Sequence, residues 1–225
     1  MFDVSDRWRA AFPGAHVGVL ALRDVANPER HPALEERKAA LADRLRARFA
    51  GQDRRAIEQL PAIQAYNAYL KPFKKSYHVQ LQLESVALKG KPLPSVAALV
   101  ECMFMAELED QLLTAGHDRD ALALPLRLDA AQGDETYTLM RDAPQQLKAG
   151  DMFIADGAGV VSSIVYGPDR RTRIVPSTRN AVFTVYAPAG IGAAAVRAHL
   201  EAIRAHVASF APAAAVAHEA VYAAS

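Results

Sequence analysis

Three stretches carry the side chains with most chemical potential. In the first, VECMFMAELEDQLLTAGHD (100–118), Glu101 stands among Val100, Cys102, Met103 and Phe104. A carboxylate in an apolar helical run is costly to bury alone, so it needs either a structural cation, Arg127 for example, or a ligand. The stretch closes on Ala115-Gly116-His117-Asp118, which reads as a polar turn, where an aspartate commonly caps backbone amides. In the second, LKPFKKSYHV (70–79), Lys71, Lys74 and Lys75 alternate with Phe73, Tyr77 and His78. Basic residues interleaved with aromatics hold phosphates and stack bases; the same pattern also suits an ordinary loop with solvated lysines. In the third, Arg170, Arg171 and Arg173 cluster behind Gly167-Pro168-Asp169.

Other chemistries lack their signatures. The seven histidines form no HxxxH pattern, and the single cysteine, Cys102, reads as a small buried hydrophobe, so neither zinc nor a disulfide is expected. No GxSxG elbow, phosphate loop or GxGxxG after a strand occurs, and Gly190-Ile191-Gly192 reads as the flexible start of a helix. A net charge of +1 gives no global field for nucleic acid, so any such contact must come from local patches. No run reaches the roughly 18 apolar residues of a membrane helix, and the start MFDVSDRWRAAFPG lacks a signal-peptide core, so a cytoplasmic protein is expected.

The elements that must position these groups follow from periodicity. Residues 1–14 hold a short amphipathic piece, and HVGVLAL (16–22) is a strand. Leu34, Leu41, Leu45 and Phe49 recur at helical spacing through 31–50, and a second helical stretch over 53–70 is kinked or restarted at Pro61. Helices are expected over 79–88, 95–113 and 190–210, the last built on Val196, Leu200, Ile203 and Val207. Between the last two, about five short strands are separated by turns at Gly133-Asp134, Ala149-Gly150-Asp151, 156–159 and Gly167-Pro168-Asp169. The alanine-rich tail 211–225 is expected to be helical or frayed. With 225 residues and 51% hydrophobic content, this is one α+β domain: a helical portion over 1–83, a mixed-sheet core over 84–187, and a C-terminal helix and tail over 188–225.

The order of landmarks in that core resembles the B3/B4 domain of the bacterial phenylalanyl-tRNA synthetase beta subunit and the free-standing proteins built from it. The resemblance covers roughly 84–187 and rests on six landmarks: Val100–Phe104, Ala115–Asp118, Leu126-Arg127-Leu128 with Gly133-Asp134-Glu135, Phe153–Asp156, Tyr166-Gly167 and Thr178-Arg179-Asn180. In the synthetase this domain hydrolyses wrongly charged aminoacyl-tRNA. Asp118 and Gly167 match the family pattern. The family's pocket histidine falls at Ala115, its pocket threonine at Met103 and its acidic residue at Thr184, so a different rejected amino acid is expected.

The resemblance implies a trans-editing aminoacyl-tRNA deacylase without metal or cofactor. Ester hydrolysis needs a positioned water, oxyanion stabilisation and a pocket for the wrong side chain. On this reading His117 and Asp118 are the catalytic candidates, with His117 orienting water or bonding the ribose. Glu101, Met103, Tyr166, Gly167 and Thr184 line the substrate site, with Glu101 and Asp118 suited to a cationic group. Lys71, Lys74, Lys75, Tyr77, His78, Lys89, Lys91, Arg170, Arg171 and Arg173 contact tRNA. Some free-standing relatives remove canavanine from arginine tRNA, and an acidic pocket suits its guanidinooxy group. Two alternatives stand beside this reading: a non-catalytic tRNA- or RNA-binding module, and a binding protein for free amino acids.

Overall fold

The computed structural model describes residues 2–224. β1 (Phe2–Val4) and α1 (Asp6–Ala11) lead into β2 (His16–Arg23), followed by α2 (Pro32–Arg48), α3 (Arg54–Glu58), α4 (Pro61–Leu70), a 3-10 turn at Lys71–Phe73, α5 (His78–Ala87) and α6 (Ala98–Asp110). Then come β3 (Leu113–Asp118), a 3-10 turn at Arg119–Ala121, β4 (Leu126–Ala130), β5 (Thr136–Thr138), β6 (Pro144–Gln146), β7 (Met152–Asp156), β8 (Gly159–Ser163) and β9 (Gly167–Pro168). β10 (Ala181–Ala187), α7 (Ala193–Ala208) and β11 (Ala215–Ala223) complete the chain. It is an α+β fold, as the periodicity predicts.

Local chemistry explains the helix boundaries. Pro32 and Pro61 occupy the first turns of α2 and α4, where a missing amide costs nothing, so Pro61 restarts the helical run instead of kinking it. Ser5 caps α1 by accepting from the Trp8 amide at 3.0 Å. α6 stops at Asp110 because Gln111 turns left-handed (φ 59°) and returns its amide to the Glu107 carbonyl at 2.8 Å. The expected helix over 95–113 is therefore shorter at both ends.

Two sheets face each other. One has the order β1-β4-β7-β8-β9, with β1 parallel to β4 and the other pairs antiparallel. The other is antiparallel, in the order β11-β2-β10-β3. β5 and β6 form a separate hairpin. All seven residues of β10 are buried, as befits an apolar strand covered on both faces. The Tyr186 hydroxyl crosses from β10 to Ser162 on β8 at 2.5 Å, tying the sheets together. α7 lies on β2, where Gly18 leaves room: a Cβ there would stand 2.5 Å from Val196 Cγ1. The main apolar core runs from Phe2 to Ala224, and a smaller cluster gathers Ala131, Leu147, Phe153 and Val160.

Two expected segments change type in the folded chain. The polar turn at Ala115–Asp118 is instead the second half of β3, paired residue by residue with Ala181–Thr184. Its polar residues are held there because β10 supplies their ladder. The alanine-rich tail is instead β11, paired along the free edge of β2 from Arg23 to His16. Among the described residues no helix is long and apolar enough to cross a membrane.

Candidate functional site

A cavity of about 290 Å³ opens between α6, β3 and the β9 segment. Its walls are apolar: Met103 and Phe104 from α6, Ala115 and Gly116 from β3, and Met140 and Ile174 from flanking loops. The Asp118 amide donates to the Thr172 carbonyl at 2.7 Å and His117 bridges Arg173, which brings the 172–174 segment alongside β3 and sets Arg173 and Ile174 against the cavity. Gly116 keeps this closure tight, since a Cβ there would stand 2.9 Å from Ile174 Cδ1.

Five residues with polar side chains besides Arg173 line the cavity: His78, Glu107, Thr114, Ser163 and Tyr186, the last with its hydroxyl on Ser162. Glu107, at 1% exposure, is the deepest charge-bearing group. Its Oε1 accepts from the Thr114 amide at 2.8 Å, while Oε2 has no hydrogen-bond partner. Burial pushes its carboxyl up to about 8, only partly offset by the Thr114 amide. Thr114 Oγ1 in turn meets His199 Nε2 at 2.7 Å, so α7 braces this part of the site. His78, at the first position of α5, is exposed at its rim yet surrounded closely enough by chain that desolvation lowers its imidazole below the usual value.

Of the residues expected at a substrate site, Met103 and Gly167 line this cavity. Glu101, Thr184 and Tyr166 do not line it. Glu101 is paired with Lys38 rather than Arg127, at 2.7 Å, and its Oε1 accepts from the Val96 amide at 2.8 Å. Burial lowers the Lys38 ammonium, but Glu101 and Glu35 outweigh it and hold it above its ordinary value. Arg127 reaches Asp129 instead, at 3.4 Å. Thr184 is buried on β10 with its hydroxyl toward the Ala115 carbonyl at 3.4 Å. Tyr166 lies outside the cavity, with Lys75 Nζ 5.4 Å from its ring centre.

Neither proposed catalytic residue reaches the cavity. His117 is fully buried, and its Nδ1 meets Thr172 Oγ1 at 2.8 Å, with Asp169 beyond. Burial first, then the Arg171 charge, drive its imidazole down to about 3, so it stays neutral and cannot exchange protons near neutrality. Packing decided this: Ala115 and Gly116 both reach the wall, while the bond to Thr172 holds the His117 ring in the interior. Asp118 caps the 3-10 turn, accepting from the Asp120 amide at 3.0 Å and from Thr178 Oγ1 at 2.6 Å.

The expected tRNA contacts separate into groups. Tyr77 is buried, stacked on Tyr66 at 4.2 Å and bonded to the Gln111 carbonyl, so it cannot stack a base. His78 belongs to the cavity. Lys71, Lys74 and Lys75 are exposed around the first 3-10 turn, and Lys89 and Lys91 are exposed after α5, where Arg46 holds the Gly90 carbonyl. A second, open hollow beside the cavity is lined by Asp118, Thr138 and the three arginines. Arg170 is paired with Asp142, and Arg171 with Asp156 and Asp169. Arg173 makes no ion pair among the described residues and lines both the hollow and the cavity. Among the described residues no three His, Cys, Asp or Glu side chains converge as a metal cluster.

Sequence reasoning missed Glu107. Its signal was the same as that of Glu101, a carboxylate in an apolar helical run, six residues further on.

No protein-family model matches the chain, and no curated protein sequence does. A solved structure does match: the crystal structure of an N-terminal fragment of the phenylalanyl-tRNA synthetase beta subunit from Pyrococcus horikoshii, over 98% of this chain, with a TM-score of 0.50 and 10% identity. The chain spans about half of that fragment, 53% of its length. At this identity the likeness is one of fold.

Proposed function

We propose that the protein is a trans-editing aminoacyl-tRNA deacylase, hydrolysing the ester of a mischarged tRNA, with canavanyl-tRNA(Arg) among its candidate substrates. The observation that carries this reading is the position of Arg173, shared between an apolar cavity sized for an amino-acid side chain and an open hollow sized for the terminal nucleotide. The fold likeness to a synthetase beta-subunit fragment points the same way. In this arrangement the side chain enters between α6 and β3, and Arg173 meets a terminal phosphate.

Water adds to the ester carbonyl carbon. The tetrahedral oxyanion then collapses, the bond to the ribose oxygen breaks, and the proton taken from water passes to that oxygen. Free amino acid and intact tRNA result. His78 takes the place first given to His117: it is the imidazole of the cavity lining, and its lowered pKa keeps it neutral and able to accept water's proton at pH 7.

The test is release of labelled amino acid from a panel of mischarged tRNAs, canavanyl-tRNA(Arg) included, with correctly charged controls. Selective release from one mischarged species is expected, and His78→Gln lowers its rate by about 10²–10⁴-fold. A flat panel with tRNA still bound leaves the RNA-binding module. A second reading, a binding protein for free amino acids, is favoured by the ion pairs that already engage Arg170 and Arg171. It predicts stabilisation by a free amino acid and indifference to tRNA.

A further inference from the structure

Buried carboxylates in a folded chain are paired or fully hydrogen-bonded, because an unsatisfied one forfeits its hydration without return. Glu101 obeys this rule through Lys38 and the Val96 amide. Glu107 does not: one oxygen is satisfied by Thr114, and the other, equally buried, has no partner at the wall of an otherwise apolar cavity.

The groups facing it supply no countercharge. Tyr66 on α4 and Tyr77 before α5 lie close enough to feel its charge, but their hydroxyls are spent on the Tyr186 and Gln111 carbonyls. His199 on α7 is engaged by Thr114 and by Asp110 at 3.4 Å. On α6 itself Glu109 pairs with Arg44 and His206. His78 and Arg173 line the cavity, yet neither bonds Glu107.

We propose that Glu107 is the specificity-determining residue of the cavity, its unpartnered Oε2 receiving a hydrogen-bond-donating nitrogen cation, an amine or guanidine, at the end of an apolar stem. Met103, Phe104 and Ile174 pack the stem, and the carboxylate reads its tip. A purely apolar side chain of the same length leaves Oε2 unpaired and is rejected. The residue is protonated in the empty cavity near pH 7, because burial holds its carboxyl at about 8. A cationic ligand converts it to carboxylate, so binding releases a proton.

This rests on the cavity being the side-chain pocket of the proposed function, but its test needs no tRNA. The probes are n-butylguanidine, n-butylamine and n-butanol, titrated calorimetrically into the full chain in buffers of different ionisation enthalpy. The cations are expected to bind at least tenfold tighter than butanol, with close to one proton released. Apparent affinity for the cations rises about tenfold from pH 6 to 7 and levels off near pH 8. Glu107→Gln, which keeps the acceptor for Thr114, loses the preference and the proton release.

Equal binding of butanol and butylguanidine, or a cation preference unchanged in Glu107→Gln, overturns the proposal. The wild-type pH profile decides the matter even if the variant does not fold, since a plateau reached by pH 6.5 assigns the proton to His78 instead. Cation binding of the expected kind without any tRNA hydrolysis would sink the deacylase reading alone. Hydrolysis indifferent to Glu107 would sink this inference alone.

Discussion

Glu101 and Glu107 are on one helix, six residues apart and equally buried, yet their situations are opposite. Glu101 meets a lysine reaching across from α2; Glu107 meets an amide and an empty cavity. That difference has a measurable consequence. Below about pH 4.5 Glu107 is protonated in both folded and unfolded chains and costs nothing. As pH rises from 4.5 to about 8, the unfolded chain ionises there while the folded chain holds its proton, so this residue's contribution to stability falls; above 8 it is constant. Glu107→Gln removes the slope. The variant is expected to become progressively more stable than the parent between pH 5 and 8, by about 4 kcal/mol at the top. Urea denaturation of both proteins across that range checks it, and parallel curves would contradict the burial argument.

The elements that make the cavity are held at close quarters by glycine. Gly18 on β2 admits Val196 and Leu200 of α7, and α7 in turn presents His199 to Thr114. Gly18→Ala inserts a methyl 2.5 Å from a stiff, buried valine, so α7 must move off the sheet. The expected cost is about 1–3 kcal/mol, seen as a lower denaturation midpoint with an unchanged slope. An unaffected midpoint would mean that the helix–sheet contact is looser than the fold implies. The same element scale explains why the tail is a strand. Alanine favours helix as an isolated chain, but β2 offers an unpaired edge of eight residues, and its backbone ladder outweighs a preference of a few tenths of a kcal/mol per residue.

Across the whole molecule, charge is balanced at +1, and at the hollow Arg170 and Arg171 are already paired. On the proposed function, a tRNA end seated there meets few available cations: Arg173, which lines both the hollow and the cavity, and the exposed Lys75 lying over Tyr166. Affinity for tRNA should then depend weakly on salt. Arg173→Ala is expected to lower it and reduce the slope of log K against log salt by about 0.7–0.9, one phosphate contact. Filter binding from 50 to 200 mM salt, a range of the order of that used for such slopes, checks this. A steep slope untouched by Arg173→Ala would move the RNA contact to the lysines after α5.

Much of this architecture was legible in the residues alone, because it rests on local rules. The periods of α2, α4, α5 and α7, the proline restart at Pro61, the β character of 16–22 and the burial of Cys102 all follow from spacing and backbone chemistry. The same logic marked α6 as apolar with acids inside it; Met103 and Gly167, singled out through the family resemblance and not by spacing, line the cavity. Only the tertiary structure decided which acid is free, because Lys38 lies 63 positions before Glu101 in the chain and no local pattern links them. It also turned Ala115–Asp118 from a turn into a strand. The segment 172–174, brought alongside that strand, holds His117 in the interior through Thr172, and Ala115 and Gly116 are left at the cavity wall. Chain-distant pairing supplies a ladder or a countercharge that no single segment contains, and those partners determine which polar groups are spent on the fold and which remain for a ligand.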